Sequence, residues 1–329
     1  MDEMTIGVIG CGARGRRHIE CLEGFADVQV GAICDPAEKN LEVAGELSMK
    51  ASRCTSLDEF AKVKLDAVII AVPAQLNSRI AGQVLQFGLP ALLEKPPGLT
   101  LHETQALLDI AKRSGARCMV GLNRRYHPMI IEAISAVRAR GPIVQIVAEF
   151  HKSMDRQLAA QVVPLADLAR WPNALLLESP IHAIDLTRHI AGAPVERVSC
   201  AARKAFHEYA DVHAALVEFA NGCLASLTFN YTGDERLERY EIHGKGISAY
   251  IENSLVAGTW VEIVADGQKA RTSRLTDSGL YNQNRAFVDG ARQGAEYAAP
   301  APSLEDVLET MALAEAIGGP ISPILPDTH

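Results

Sequence analysis

Residues 5–15 read Thr-Ile-Gly-Val-Ile-Gly-Cys-Gly-Ala-Arg-Gly, a short apolar run that ends directly in a glycine-rich turn and is followed by a helical pattern. Three glycines at Gly10, Gly12 and Gly15 make the G-x-G-x-x-G spacing in the strand-turn-helix setting that gives it meaning. Each has a physical task. Gly10 allows the tight turn, Gly12 lets backbone N–H groups approach a pyrophosphate, and Gly15 allows a close helix-strand contact, so that an anion sits on a helix N-terminus. Cys11, Ala13 and Arg14 fill the loop, and Asp35 stands twenty residues after Gly15, at the end of the next apolar run. A carboxylate there accepts hydrogen bonds from an adenosine ribose and repels a 2′-phosphate, which points to NAD; Arg14, Arg16 and Arg17 leave NADP open.

Working outward, residues 5–9, 28–34, 67–72, 91–94 and 118–121 are Val/Ile/Leu-rich runs separated by amphipathic stretches, the pattern of βαβ units with a parallel sheet buried on both faces. Helices are predicted over 78–87 and 101–114, the second opened by Thr100 with Glu103 three residues on, a capping box. After Asn123 the texture changes. A helix over 128–140 and a strand over 143–150 precede a long polar connection and a second helix. Strand-like runs then follow at 195–205, 212–218, 223–231, 239–243 and 248–252, spaced as antiparallel hairpin neighbours, with Asn221-Gly222 as a turn signal, and the chain returns to helix over 279–317. The fold class is therefore α/β: a doubly wound Rossmann domain over 1–123, followed over 124–329 by an α+β domain with a mostly antiparallel open sheet.

Composition narrows the partners. With 329 residues, 48% hydrophobic and 22% charged, the chain can bury two ordinary cores. A formal charge of -8 and a pI near 5.7 leave no cationic excess for a nucleic-acid backbone or an anionic membrane. Seven scattered cysteines form no C-x-x-C pair, and the N-terminus shows neither a basic n-region nor a cleavage site, so a cytoplasmic, unprocessed protein is expected. No apolar run approaches the roughly 20 residues of a membrane span. The histidines have no zinc-ligand spacing, so no metal is expected. Cys11 reads as a small filler, and Trp171 and Trp260 as packing residues.

Two further segments carry chemistry. Glu94-Lys95-Pro96-Pro97 ends the fourth named run, at the carboxyl edge of the sheet where ligands of open α/β folds bind. Lys95 can there donate to a substrate oxygen or exchange its proton; read alone, a lysine before a Pro-Pro turn is more often a solvated loop residue. Glu178, His182 and Asp185 are spaced four and then three apart, so helical spacing puts them on one face, with Pro180 in the first turn and Glu178 flanking the N-terminus. Imidazole beside a carboxylate suits proton exchange near neutral pH, although the stretch alone also reads as a solvated surface helix.

Together with Ala71-Val72-Pro73, the run from Gly121 to Tyr126, and Glu241-Ile242-His243-Gly244-Lys245-Gly246, these motifs resemble the Gfo/Idh/MocA family of glucose-fructose oxidoreductase and inositol dehydrogenase relatives, over nearly the whole chain. The resemblance implies that Lys95 and His182 act at a substrate hydroxyl while hydride passes to or from the nicotinamide. It implies cofactor contacts from Gly10, Cys11, Gly12, Ala13, Arg14, Gly15, Asp35, Ala71, Val72, Pro73, Asn77, Glu94, Lys95 and Asn123. Substrate contacts are implied for Lys95, Asn123, Arg124, Glu178, His182, Asp185 and Tyr231, the last on the sheet that floors the pocket. Asp185 either orients a substrate hydroxyl or caps local structure. The sequence departs from the family pattern at four positions: Asn77 replaces a frequent His, Glu178 a frequent Asp, and Asn173-Ala174 a frequent glycine pair.

The expected activity is interconversion of a secondary alcohol and a ketone on a sugar, cyclitol or related polyol. A non-catalytic NAD-binding sensor, or an enzyme using tightly bound NAD for hydrolysis or epimerisation, stays open beside it. Self-association as a dimer or tetramer is expected through the open sheet, and residues 151–172 are expected to carry specificity.

Overall fold

The computed structural model describes residues 3–159, 173–254, 258–274, 279–294, 296–297, 299–319 and 321–322. The chain divides into two compact units, Met1–Asn123 with Gly279–Leu308, and Arg124–Ser278 with Glu309–His329. The expectation of a single cut after residue 123 is thus corrected. The first unit takes back residues 279–308, which were expected to belong to a second domain over 124–329.

In the first unit six parallel strands, β1 (Met4–Ile9), β2 (Val28–Cys34), β3 (Ser52–Cys54), β4 (Ala67–Ile70), β5 (Ala91–Glu94) and β6 (Cys118–Gly121), lie in the order β3-β2-β1-β4-β5-β6. This is the doubly wound order, and the sheet reverses direction of growth between β1 and β4. The apolar runs are buried on both faces, as Ile6, Val8, Val68, Ile69 and Leu92 at 0% exposure illustrate. Strand β3 was not foreseen: three residues, Ser-Arg-Cys, at the sheet edge carry no apolar run to announce them. The predicted helix over 78–87 begins earlier, at Ala74, so Asn77 sits in its first turn. Helix Leu101–Ser114 has the predicted cap, with the Thr100 side chain accepting from the Glu103 N–H.

The returning helix Leu280–Gln293 packs on the fingerprint helix Ala13–Glu23. Arg285 and Arg292 both clasp Asp27, at 2.8 and 2.6 Å, and Phe25 meets Tyr281 edge-on. These guanidinium hydrogen bonds hold the Asp27 carboxyl down at about 2. The backbone of Val120 in β6 then donates to Pro302, and Met119 bridges Ser303.

The second unit carries, among the described residues, a sheet in the order β14-β13-β12-β11-β7-β10-β9-β8-β15. Its strands are β7 (Ile143–Ser153), β8 (Val195–Arg203), β9 (Val212–Phe219), β10 (Leu224–Asn230), β11 (Thr232–Gly244), β12 (Ile247–Ser254), β13 (Gly258–Ala265), β14 (Gln268–Arg274) and β15 (Ile321–Ser322). The expected chain of hairpin neighbours is corrected at one point: β10 and β11 do not pair. A single residue, Tyr231, separates them, too few for a hairpin loop, so the chain steps over the end of β7 and the two strands pair with it from opposite sides, β10 parallel and β11 antiparallel. Strands β13 and β14 were also unforeseen. Asp266 and Gly267 between them have φ of 53° and 73°, the Asp-Gly turn signal that sequence reading passed over.

One face of this sheet is buried: Ile146, Ala148 and Phe150 of β7 align with Ile242 and Tyr240 of β11 and with Ala225, Leu227 and Phe229 of β10. Helices Pro128–Arg138 and Ile181–Ala191 pack on the sheet. On the alternate positions Leu216 and Leu224 remain 44% exposed, as an open antiparallel sheet requires of one face. Among the described residues no helix is long and apolar enough to cross a membrane.

Candidate functional site

In the first unit the fingerprint lies at the exit of β1, beside the loop Ala71-Val72-Pro73 that follows β4, so both sit where the sheet order reverses. Gly10 has a φ of 88°, and a Cβ there would collide with the Ala71 carbonyl; a Cβ on Gly15 would collide with the Gly10 carbonyl. Gly12 is different: an added Cβ meets nothing within 4 Å. It also caps the helix Ala13–Glu23 without a side-chain hydrogen bond, and no acidic residue occupies the first turn. The helix therefore presents uncommitted N–H groups to an open space, which is what a pyrophosphate needs.

Asp35 is 8% exposed and already anchored: one oxygen accepts from the Cys11 N–H at 2.8 Å, the other from the Ala37 N–H at 2.9 Å and Asn40 Nδ2 at 3.1 Å. A carboxylate so fixed retains lone pairs for two ribose hydroxyls. Burial pushes the Cys11 thiol up to about 12, which removes it as a nucleophile and fits the filler reading. Arg16 donates to the Cys11 carbonyl at 3.0 Å and Arg14 approaches Glu94 at 3.4 Å, so two of the three arginines that left NADP open are engaged within the protein. These residues fit a dinucleotide.

The Glu94 carboxylate is anchored within the protein: Oε1 meets His18 Nε2 at 3.0 Å and Arg14, while Oε2 accepts from the Lys95 N–H at 3.2 Å. His18 is held in turn by Asn284 at 2.8 Å. Burial alone would raise this carboxyl, but Arg14, His18 and Lys95 bring it down to about 2, so it is a permanent anion. Asn77 completes the brace. Its Nδ2 donates to the carbonyls of Glu94 at 3.0 Å and Pro96 at 2.7 Å, on either side of Lys95, while its buried Oδ1 has no partner among the described residues. Lys95, half-buried at the carboxyl end of β5, is thus carried on a loop with very little freedom. Asn123, 3% exposed, opens the short helical turn after β6.

In the second unit Arg124 is buried in an ion pair. Its guanidinium makes a buried two-pronged pair with Glu238, at 2.6 and 2.9 Å, and Glu238 also accepts from the Tyr240 hydroxyl at 3.0 Å. Asp185 resolves toward local structure: Arg125 grips both its oxygens at 2.8 and 2.6 Å, and Thr310 donates a third bond at 3.0 Å. Neither side chain was recognisable as half of an ion pair from sequence, because the partners lie 114 and 60 residues away.

The predicted common helical face also fails for Glu178. A break at Ser179-Pro180 divides the segment into helices Ala174–Glu178 and Ile181–Ala191, because Pro180 cannot continue the first. His182, 7% exposed, occupies the first turn of the second helix, with its N–H bonded to the Ser179 carbonyl at 3.1 Å. Asn173 stands in the left-handed region at φ 66°, a conformation that Asn tolerates and glycine prefers.

Glu178 instead meets Tyr231, whose buried hydroxyl donates to the Leu175 carbonyl at 2.7 Å and lies 3.4 Å from Glu178 Oε2. Burial and the adjacent carboxylate keep that phenol protonated, well above its ordinary range. Sequence reading missed Lys152, whose ammonium bonds Glu178 Oε1 at 2.9 Å. A signal existed: Lys152 falls in phase with Ile146, Ala148 and Phe150, a charged residue at an inward position of β7. Trp260 lies under the Arg271 guanidinium at 4.1 Å, a packing role as expected, whereas Trp171 and residues 160–172 of the specificity segment fall outside the described residues.

Residues 4–122 match the family model described as oxidoreductase family, NAD-binding Rossmann fold, and residues 134–250 match the GFO/IDH/MocA C-terminal domain. Among curated proteins the chain is 26% identical to inositol 2-dehydrogenase of Rhizobium meliloti strain 1021, over 95% of this chain and 96% of that one. It is 26% identical to scyllo-inositol 2-dehydrogenase (NAD(+)) of Bacillus subtilis strain 168, over 78% and 74%. A solved oxidoreductase from Agrobacterium radiobacter, in complex with NAD+, L-tartaric acid and magnesium, shares the fold with a TM-score of 0.79 at 21% identity over 95% of each chain. With the nucleotide cradle built at its N-terminus and both halves matched to one family, the chain belongs to the Gfo/Idh/MocA family of NAD-binding oxidoreductases.

Proposed function

We propose that the protein oxidises a secondary alcohol of a neutral sugar or cyclitol to a ketone, with NAD as the hydride acceptor, and catalyses the reverse reduction. The observation that carries this reading is Lys95 itself, a lysine at the carboxyl edge of a Rossmann sheet whose loop is braced by Asn77 on both sides and by the buried Glu94 anion. NAD, when bound, accepts the hydride from the carbinol carbon. The helix N-terminus at Gly12 would hold its pyrophosphate and Asp35 its adenosine ribose, with Asn77 and Asn123 toward the nicotinamide half. In oxidation Lys95 acts as the neutral amine, takes the hydroxyl proton as the carbonyl forms and then, as the ammonium, donates to the ketone oxygen, with His182 assisting; in reduction the same proton transfers run in reverse. Arg124 and Asp185 position backbone, through their buried ion pairs, and do not touch substrate. Engagement of Arg14 and Arg16 within the protein supports NAD over NADP.

Seven free cysteines support a reducing, cytoplasmic setting, and the sheet face that leaves Leu216 and Leu224 exposed supports self-association. The deciding experiment incubates the full chain with NAD and a panel containing myo-inositol, scyllo-inositol and common aldoses, and follows NADH. Oxidation of at least one polyol is expected. NAD binding without turnover of any panel member would instead place the chain among sensors of the same fold.

A further inference from the structure

We infer that Lys152 is a positioning residue of the substrate site, which fixes the Glu178 carboxylate in one orientation as an acceptor for a polyol hydroxyl; this rests on the function proposed above. Lys152 projects from β7 at the buried phase of the strand, following Ile146, Ala148 and Phe150, and is itself 9% exposed. A lysine there gives up hydration and rotamer freedom, a cost that only a matched partner offsets. Glu178 is that partner, at 2.9 Å, and the pair is asymmetric: the lysine side chain is 11% exposed and the glutamate 27%. The ammonium is therefore the inner member and the carboxylate the outer one, still reachable from outside.

Three elements converge on this carboxylate. Lys152 comes from β7, Tyr231 from the step between β10 and β11, and Glu178 from the end of its own short helix. The first two are locked together, since the Met154 N–H, two residues after Lys152, donates to the Tyr231 carbonyl at 3.0 Å. A carboxylate offers about four lone-pair sites, so Glu178 can accept from a hydroxyl donor beside Lys152 and Tyr231. The pair is neutral as a whole, a setting suited to a neutral polyol.

The test compares steady-state kinetics of the full chain, with NAD and the best polyol of the panel, for wild type, K152M, K152R, E178Q and the K152M/E178Q double variant. Losing a charge-assisted hydrogen bond predicts a KM for polyol raised about tenfold or more in K152M, with kcat changed less than about threefold and the KM for NAD unchanged. K152R should recover most of the loss, E178Q should resemble K152M, and the double variant should be no worse than the poorer single one. A K152M that melts earlier yet keeps the wild-type KM makes Lys152 merely structural and overturns the inference, as do losses that multiply in the double variant. If K152M does not fold, K152R near wild type beside a raised KM in E178Q supports the inference, and an unchanged E178Q overturns it. A wild type that oxidises no polyol sinks the proposed function and this inference together; an active wild type with an indifferent K152M sinks this one alone.

Discussion

Replacing Gly12 by alanine separates the two tasks that the fingerprint glycines perform. The backbone at Gly12 has φ -65° and ψ -172°, open to any L-residue, and an added methyl meets nothing within 4 Å, so the free protein should fold as before. Alanine restricts the unfolded chain by about 0.4–1 kcal/mol and is a poorer cap than glycine by a similar amount, so the two effects nearly cancel. The methyl nevertheless occupies the space in front of the helix N-terminus. Displacing a pyrophosphate from about two charge-assisted hydrogen bonds, at about 1.5 kcal/mol each, weakens NAD about a hundredfold. At a NAD concentration 100 times the wild-type Kd, linkage stabilises the wild type by about 2.7 kcal/mol and the variant by about 0.4 kcal/mol. With about 2–4 °C of melting temperature per kcal/mol, the NAD-induced shift should shrink from about 5–10 °C to about 1–2 °C. Differential scanning fluorimetry with and without NAD reads both numbers. A G12A protein that melts normally and keeps the full shift would refute the placement of the pyrophosphate, whereas G10A, with its collision at Ala71 and φ of 88°, should be destabilised even without NAD.

Three other outcomes are expected. Lys95→Ala should lower kcat by about a hundredfold while NAD still protects against melting; unchanged turnover removes Lys95 from the chemistry. Asp185→Ala leaves the buried Arg125 guanidinium without its counter-ion and should cost about 3–5 kcal/mol by urea denaturation, and a cost below about 1 kcal/mol would show the pair to be dispensable. His213, 2% exposed, has its imidazole pushed by burial down to about 4, opposed by Asp211, so the folded state resists protonation that the unfolded chain accepts. Its contribution is present above pH about 6.5 and is lost as pH falls toward about 4, worth about 3 kcal/mol at most. His213→Leu should flatten that fall. His207 is shifted the other way despite its burial, by Asp211 and Asp155, so its contribution is lost as pH rises above about 6.5 and does not overlap this window. An identical slope in H213L excludes His213 as the source.

What could be read in advance follows the range of the interactions. The parallel sheet was legible because burial on both faces writes each strand as an unbroken apolar run, and the fingerprint because its glycines answer to steric demands within a few residues. Strand β3 was not, since an edge strand of three residues leaves no such trace. The β13–β14 hairpin was written plainly in Asp266-Gly267 and was passed over. Side-chain roles proved harder. Arg124 and Asp185 look like ligands in sequence because exposed and buried charges are spelled alike, and only the fold brings Glu238 and Arg125 against them. Glu94 was placed correctly in the chain, but the direction its carboxylate faces depends on His18 and Asn284, 76 and 266 residues apart from their partners.

The return of residues 279–308 to the first unit has a consequence for how the protein is born. Helix Leu280–Gln293 buries Leu280, Phe287 and Val288 and supplies both arginines that clasp Asp27, so the nucleotide-binding half is not complete when its sixth strand leaves the ribosome. At about 5–20 residues per second, translation of residues 124–278 imposes a delay on the order of ten seconds. During that interval the nascent fingerprint helix lacks its covering, and waits for a segment made well over a hundred residues after its own sheet.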